Sequence, residues 1–117
     1  MVLKEKSLDF AVKIVNLYKH LKDKKSEYVL SKQILRSGTS IGANIRESKH
    51  AESNQDFIHK LAISQKEAGE TEYWLILLFR TEYISKNKFD SLSSNLSEIR
   101  RMLASSILTV KKKLKKA

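Results

Sequence analysis

Residue types that could bind a ligand or catalyse a reaction are concentrated in one stretch, residues 36–48, with the sequence RSGTSIGANIRES. It combines two of the three glycines with hydroxyl and amide side chains, a composition that could bind a phosphate. A P-loop has four residues between its glycines and then Lys-Ser/Thr, because the lysine must reach the terminal phosphates. Here three residues separate Gly38 from Gly42, and Ala43 and Asn44 follow. The spacing therefore argues against a nucleotide-binding loop.

Metal binding and nucleophilic catalysis have equally little support in the sequence. The carboxylates of Glu67 and Glu70 are three residues apart, but neither is followed by a histidine at the spacing of a di-iron site. His20, His50 and His59 form no metal-binding pair, and no serine lies in a G-x-S-x-G motif. We therefore expect a protein that is not an enzyme and that has no metal ion and no cofactor.

Basic side chains are the most abundant groups that could bind a ligand, because 23 Lys and Arg outnumber 13 Asp and Glu. Such side chains would bind the phosphates of RNA or DNA with salt-sensitive affinity and little sequence preference. Lys4 and Lys6 lie in the same basic first segment as several of the candidates. The candidate nucleic-acid-binding residues are Lys13, Lys19, Lys22, Lys24, Lys25, Arg100, Arg101, Lys111, Lys112, Lys113, Lys115 and Lys116. A solubilising surface with a frayed lysine tail is the alternative explanation of the same charge.

A second group of polar residues lies in two segments that would face each other if their helices are neighbours. These residues are Arg36, Ser40, Asn44, Glu47, Lys66, Glu67, Glu70 and Thr71. Buried charges need partners, so we expect a charge-paired network that fixes the register of the helices or a contact between subunits. A ligand or partner site is the alternative for the same residues.

Hydrophobic periodicity predicts that four amphipathic helices position these groups, because apolar residues recur in steps of three and four. In the first helix the series is Phe10, Ile14, Leu17 and Leu21, with Ser7 as the predicted N-cap. The approximate bounds are 7–22, 27–51, 54–84 and 87–115. No segment alternates with a period of two, and the chain has no proline. The prediction is an all-α antiparallel up-down four-helix bundle, a single domain over residues 1–117.

The helical period also continues through the glycine-containing stretch, since Ile34 and Ile41 are seven residues apart, as are Gly38 and Ile45. Glycine costs about 0.5–1 kcal/mol relative to alanine inside a helix. We therefore expect Gly38 and Gly42 to allow a close approach of a neighbouring backbone.

The apolar segments are too short for a bilayer, since the longest run, residues 74–79, has six residues and a span needs about 20. The first residues lack the apolar core of a signal peptide, and cysteine is absent. These features predict a soluble cytoplasmic protein with no membrane partner.

The segment ILRSGTSIGANIRESKHAESNQDFIHKLAISQKEAGETEYWLILL, residues 34–78, resembles the four-helix-bundle family named for proteins encoded in intervening sequences of bacterial 23S rRNA genes. Gly69 is a departure from the family pattern. The elements that carry the resemblance are Arg36, Ser37-Gly38, Ser40-Ile41, Asn44-Ile45, Glu47, Ser53, Asp56-Phe57, Lys66-Glu67, Glu70-Thr71 and Tyr73-Trp74-Leu75.

The resemblance implies a bundle that assembles into a ring-shaped homopentamer. Relatives in fold include the accessory variability determinant of diversity-generating retroelements, a basic protein that binds nucleic acid and a reverse transcriptase. The branch encoded in rRNA genes offers no established activity and no catalytic residues. We therefore expect a non-enzymatic oligomer that binds RNA or DNA through basic surfaces repeated around a ring. A scaffold for a protein partner, with no role in nucleic-acid binding, is the alternative.

Overall fold

The computed structural model describes residues 2–116, and it contains four α-helices and no strand over that range. They are α1 (Val2–Lys25), α2 (Leu30–Ser48), α3 (Asn54–Arg80) and α4 (Lys86–Lys116). The predicted all-α class and the number of helices are confirmed. The predicted bounds differ, because α1 begins five residues earlier than expected and α2 and α3 are both shorter.

Local backbone and side-chain geometry explains where α1 and α3 end and where α2 begins. Ser26 has a φ of 52°, a left-handed conformation that terminates the right-handed helix before it. Glu27 precedes α2 rather than belonging to it, and its carboxylate accepts a hydrogen bond of 2.7 Å from the Ser31 amide. Glu82, with a φ of 67°, lies in the turn that follows Arg80. These residues fix bounds that hydrophobic periodicity does not specify.

The two helix caps predicted from sequence have different outcomes. The Ser53 side chain accepts a hydrogen bond of 3.0 Å from the Asp56 amide, so Ser53 is the N-cap of α3. The prediction that Ser7 caps the first helix is wrong. Ser7 is buried inside α1, and its hydroxyl donates to the Lys4 carbonyl oxygen at 2.9 Å. A serine can satisfy its hydroxyl in this way within a helix, so its type alone does not mark a helix start.

The helices form an antiparallel bundle in which each helix packs against the next along the chain, and α1 also packs against α4. Contacts between neighbouring helices run in opposite order, as in the pairs Arg36–Glu67 and Glu47–Lys60 across α2 and α3. The apolar stripe of each helix faces one shared core. Its fully buried side chains include Phe10, Ile14, Leu17, Leu21, Ile34, Ile41, Ile45, Leu61, Leu75, Leu78, Leu92 and Leu96.

Close contact between α1 and α2 occurs at the two glycines of α2. The predicted approach of a neighbouring backbone is found at Gly42, whereas Gly38 faces the side chain of Ile14. A Cβ atom on Gly38 would lie 2.9 Å from two side-chain carbons of Ile14, which is fully buried. A Cβ atom on Gly42 would lie 3.3 Å from the carbonyl oxygen of Ser7. The absence of these two side chains therefore sets the distance between the helices.

We expect Gly38→Ala to lower the free energy of unfolding, although alanine gains about 1 kcal/mol of helix propensity. Overpacking against Ile14 costs about 1–3 kcal/mol, since Ile14 is branched at its Cβ and fully buried. Gly69→Ala is the matched control, because its Cβ would meet only an Arg100 guanidinium nitrogen at 3.9 Å. Urea unfolding followed by circular dichroism should show stabilisation by about 0.5–1 kcal/mol for Gly69→Ala. Equal stabilisation of both variants would contradict the close contact.

Candidate nucleic-acid interface

The bundle measures 53 × 22 × 20 Å, so basic residues near its two ends are far apart. One end, here called the two-loop end, contains the connections at residues 26–29 and 81–85. The other, the one-loop end, contains the start of α1, the connection at residues 49–53 and the last turns of α4. Because neighbouring helices are antiparallel, the basic ends of α1 and α4 lie at opposite ends of the bundle. The structure therefore separates the predicted nucleic-acid-binding residues into three groups.

In the middle group, Lys13, Arg100 and Arg101, two of the three side chains already contact polar side chains of neighbouring helices. The Lys13 ammonium donates to Asn95 Oδ1 at 2.9 Å, and an Arg100 guanidinium nitrogen lies 3.0 Å from a Glu72 carboxylate oxygen. Arg101 is exposed. This part of the surface has mixed charge, so it attracts a polyanion less strongly than its lysines and arginines alone would suggest.

The seam between α1 and α4 adds a further ion pair next to the middle group. Lys6 bridges to Glu98, and both side chains are partly exposed. The hydrogen bond and positive charge from Lys6 hold the pKa of the Glu98 carboxyl below its ordinary value. Asp9 lines the same shallow cleft together with Lys13. Acidic and basic groups therefore alternate along this seam.

The two-loop end carries Lys19, Lys22, Lys24 and Lys25, all exposed. The Lys22 ammonium lies 5.5 Å from the centre of the Tyr18 ring, a cation–π contact. Exposed acidic residues, among them Asp23, Glu82 and Asp90, lie at the same end of the bundle as these lysines. The charge at this end is therefore positive but mixed.

The one-loop end carries the last turns of α4, which extend beyond the start of α1. Lys6 pairs with Glu98, so the antiparallel register places the residues after about 102 past the first turn of α1. Val110 still lines an open cavity beside Ser48 and Phe57. The following lysines are exposed and helical as far as Lys116, in contrast to the alternative of a frayed tail. These are Lys111, Lys112, Lys113, Lys115 and Lys116.

Two basic residues that the sequence did not single out, Arg46 and Lys49, lie at the same end. They approach Lys4 of α1, and the contact with Lys49, followed by the charge of Arg46, lowers the pKa of the Lys4 ammonium. Within residues 2–116, none of these three side chains forms a salt bridge with an acidic group. The spacing of three residues between Arg46, in the last turn of α2, and Lys49, its C-cap, was the signal available in the sequence.

The predicted polar network is only partly assembled, and it lies nearer the surface than expected. Arg36 forms ion pairs with Glu67, at 3.1 Å, and with Glu70, and its side chain is 51% exposed. Beneath them, the hydroxyl of Thr71 lies 3.0 Å from that of Ser37 in a buried contact. These residues join α2 to α3. Because Arg36 stays in contact with water, its pairs contribute less specificity than buried charges would.

The other members of the predicted network have separate partners. The Ser40 hydroxyl donates to the Arg36 carbonyl oxygen at 2.6 Å, and the Asn44 amide donates to the Ser40 carbonyl oxygen at 2.9 Å. Glu47 pairs with Lys60 at 3.2 Å, while Lys66 is exposed. Ser40 and Asn44 therefore bind their own helix instead of bridging to α3.

The histidines do not come together in the fold. His20, His50 and His59 are exposed, and no group of three potential metal-binding side chains lies together in the part of the chain that the structure describes. Over the same residues, no helix combines the length and the apolar character needed to cross a membrane.

The family of the chain follows from its sequence and fold together. A family model of the 23S rRNA-intervening sequence protein matches residues 1–105. The chain belongs to this family. The bundle is also similar to the crystal structure of a protein of unknown function from the S23 ribosomal protein family of Bacteroides thetaiotaomicron. The two share 60% identity over 90% of this chain and 97% of the other, with a TM-score of 0.89. No curated protein matches this intervening-sequence protein.

The family match confirms the resemblance noted in residues 34–78 and extends it over nearly the whole bundle. It ends at residue 105, before the five lysines of residues 111–116. Arg46 and Lys49 lie inside the matched region. The one-loop end therefore contains basic residues inside the region that matches the family and, at residues 111–116, basic residues outside it.

Proposed function

We propose that this 23S rRNA-intervening sequence protein is a non-enzymatic, oligomeric, cytoplasmic protein that binds RNA or DNA through its one-loop end. The observation that carries the proposal is the convergence of two basic groups there. Five exposed lysines on the last turns of α4 lie at the same end as the cluster of Lys4, Arg46 and Lys49. The two-loop end has a secondary role in the proposal, because it has no run of lysines as dense as residues 111–116, where five of six residues are lysine.

Phosphate groups are the ligand that this chemistry fits best. Exposed ammonium groups lose little hydration on contacting a phosphate, and each contact releases counterions from the nucleic acid. Residues 111–116 extend over about 9 Å along the helix axis, so several phosphates can be contacted together. The sequence carries no zinc-finger or RNP-type motif that reads bases. The proposal is therefore affinity for the backbone with weak sequence preference.

A scaffold for a protein partner is the second candidate, and one observation favours it. Exposed apolar side chains lie on α1, at Val12, and on α3, at Tyr73 and Ile76. Apolar residues in exposed positions often mark protein interfaces. Binding to a protein without measurable affinity for nucleic acid at low salt would support the scaffold instead.

The expected binding is salt-dependent and localised. Wild-type protein should bind a fluorescent RNA hairpin and a DNA duplex at 50 mM salt, with at least tenfold weaker binding at 200 mM. Replacing Lys111, Lys112, Lys113, Lys115 and Lys116 by glutamine should weaken binding at 50 mM by about tenfold or more, because several phosphate contacts are lost. Fluorescence anisotropy at several salt concentrations measures both the affinity and the salt slope.

The matched control removes the same amount of charge from the other end of the bundle. Glutamine at Lys19, Lys22, Lys24, Lys25 and Lys32 should leave the affinity within about threefold of wild type. Equal loss in the two variants would mean that only net charge matters. No binding by the wild type at low salt would overturn the proposed function itself.

Self-association into a ring-shaped homopentamer is part of the proposal; the number five is what the resemblance to the family implies, and the arrangement of exposed apolar residues supports a contact between subunits. Helices α1 and α3 lie diagonally in the bundle, so Val12 faces a different side from Tyr73 and Ile76. Two different apolar faces suit a head-to-tail contact, and such contacts form a ring when the rotation between neighbouring subunits closes. A ring would repeat the basic one-loop end, which multiplies weak phosphate contacts into higher avidity.

Light scattering at micromolar concentration should give a mass five times the 13.5 kDa of one chain. Ile76→Glu should reduce that mass, because the substitution places a charge in the proposed interface. Val29→Glu, which alters an exposed valine at the two-loop end, is the control and should leave the mass unchanged. A wild-type monomer would refute the pentamer, and equal effects of the two substitutions would refute the role of Ile76.

A further inference from the structure

A small cleft lies on the outer side of the α1–α2 seam, close to the one-loop end. Its volume is about 170 Å³, and Leu8 and Ala11 of α1 face Gly42 and Ala43 of α2 across it. The cleft exists because Gly42 has no side chain where the helices approach each other. Its lining is mainly apolar, and Leu8 is 55% exposed. In the single chain an apolar surface is therefore open beside the basic cluster, one helical turn from Val12 of the proposed subunit contact.

The cations Lys4 and Arg46 line the same cleft, and Lys49 lies beside Lys4. Three positive charges lie together and repel one another; the carboxylate of Glu5 offsets this only in part for Lys4, and none of the three forms a salt bridge in the described chain. An external anion would relieve the repulsion. The contact with Lys49, followed by the charge of Arg46, lowers the pKa of the Lys4 ammonium. The complementary ligand thus carries a negative charge next to an apolar group.

We propose that this cleft binds one unpaired nucleotide of an RNA or DNA strand, with the base against the apolar walls and its phosphate at Lys4, Arg46 and Lys49. The inference rests on the proposed function and names its ligand class. A nucleobase has apolar faces and is attached to a phosphodiester, which matches the two halves of the site. Bases inside a duplex are stacked and paired, so a loop, bulge or single strand is required.

The size of the cleft supports a nucleotide over other anionic ligands. At about 170 Å³ it is smaller than the roughly 300–1,000 Å³ of ordinary small-molecule pockets, so it suits one flat ring system. Its α1 lining, residues 4–11, covers about two helical turns, or about 10 Å.

The test compares three fluorescent DNA oligonucleotides that have the same number of phosphates per strand. They are a single strand, its duplex, and a single strand in which abasic units replace the nucleotides. Wild-type protein should bind the single strand about tenfold more tightly than the abasic strand, since base contacts are lost while the phosphates remain. The duplex should bind like the abasic strand when affinity is compared per phosphate.

Filling the cleft should remove that preference without removing the charge. Ala43→Phe places a ring in the cleft, and Ala62→Phe is the control at an exposed alanine of α3. The first variant should bind the single and abasic strands equally, and the second should keep the tenfold difference. A second pair of variants removes charge without adding bulk. The double substitution Arg46→Gln and Lys49→Gln should weaken single-strand binding more than the double substitution Lys19→Gln and Lys22→Gln.

The outcomes separate this inference from the proposed function. Equal wild-type affinity for single and abasic strands overturns the nucleotide site while backbone binding stands. An undiminished preference in Ala43→Phe, with helicity unchanged by circular dichroism, overturns the assignment to this cleft. No binding to any oligonucleotide overturns both proposals. Binding of an acidic amphipathic peptide instead, blocked by Ala43→Phe but not by Ala62→Phe, would make the cleft a protein site.

Discussion

The close approach of α1 and α2 at Gly38 and Gly42 determines which side chains of these two helices lie next to each other. Ile14 and the Ser7 backbone occupy the space where the two side chains would otherwise be. This contact sets the register of the first two helices. With Gly42 opposite Ser7, the next turn of α2 brings Arg46 towards Lys4. Lys4 and Arg46 therefore lie close together because the two glycines let α1 and α2 pack closely along the same seam.

Charge is distributed unevenly around this frame. Salt bridges and mixed acidic groups balance the middle of the bundle, as shown by Arg36 with Glu67 and by Arg100 with Glu72. Such exposed pairs contribute little to stability, but they reduce the positive potential of the surface near them. The last turns of α4 have the opposite character, because five lysines follow one another closely without acidic neighbours in sequence. The proposed function depends on this contrast within one small bundle.

The helices and their apolar faces could be predicted from sequence because a 3.6-residue period determines which side chains are buried. Gly38 and Gly42 could be interpreted for the same reason, since the period continues through them. The role of Glu27 could not be predicted, because a carboxylate that accepts a hydrogen bond from the first turn of the next helix leaves no trace in the pattern of apolar residues. Ser7 was misassigned because serine can also bond to its own helix.

The candidate site was predictable only in part. Sequence identified the lysines, but their division between two ends depends on the antiparallel order of the helices. Arg46 joins Lys4 only through the register of α1 and α2, which no local pattern specifies. The family match covers residues 1–105, so the role of the final lysines has to be tested on this chain directly.

Lysine footprinting by chemical acetylation and mass spectrometry, with and without bound RNA at low salt, tests the central claim most directly. The account predicts slower acetylation on RNA binding at Lys4, Lys49 and the lysines of residues 111–116, while Lys19, Lys22, Lys24 and Lys25 remain reactive. Protection of the two-loop end alone, or equal protection along the whole bundle, would contradict the account.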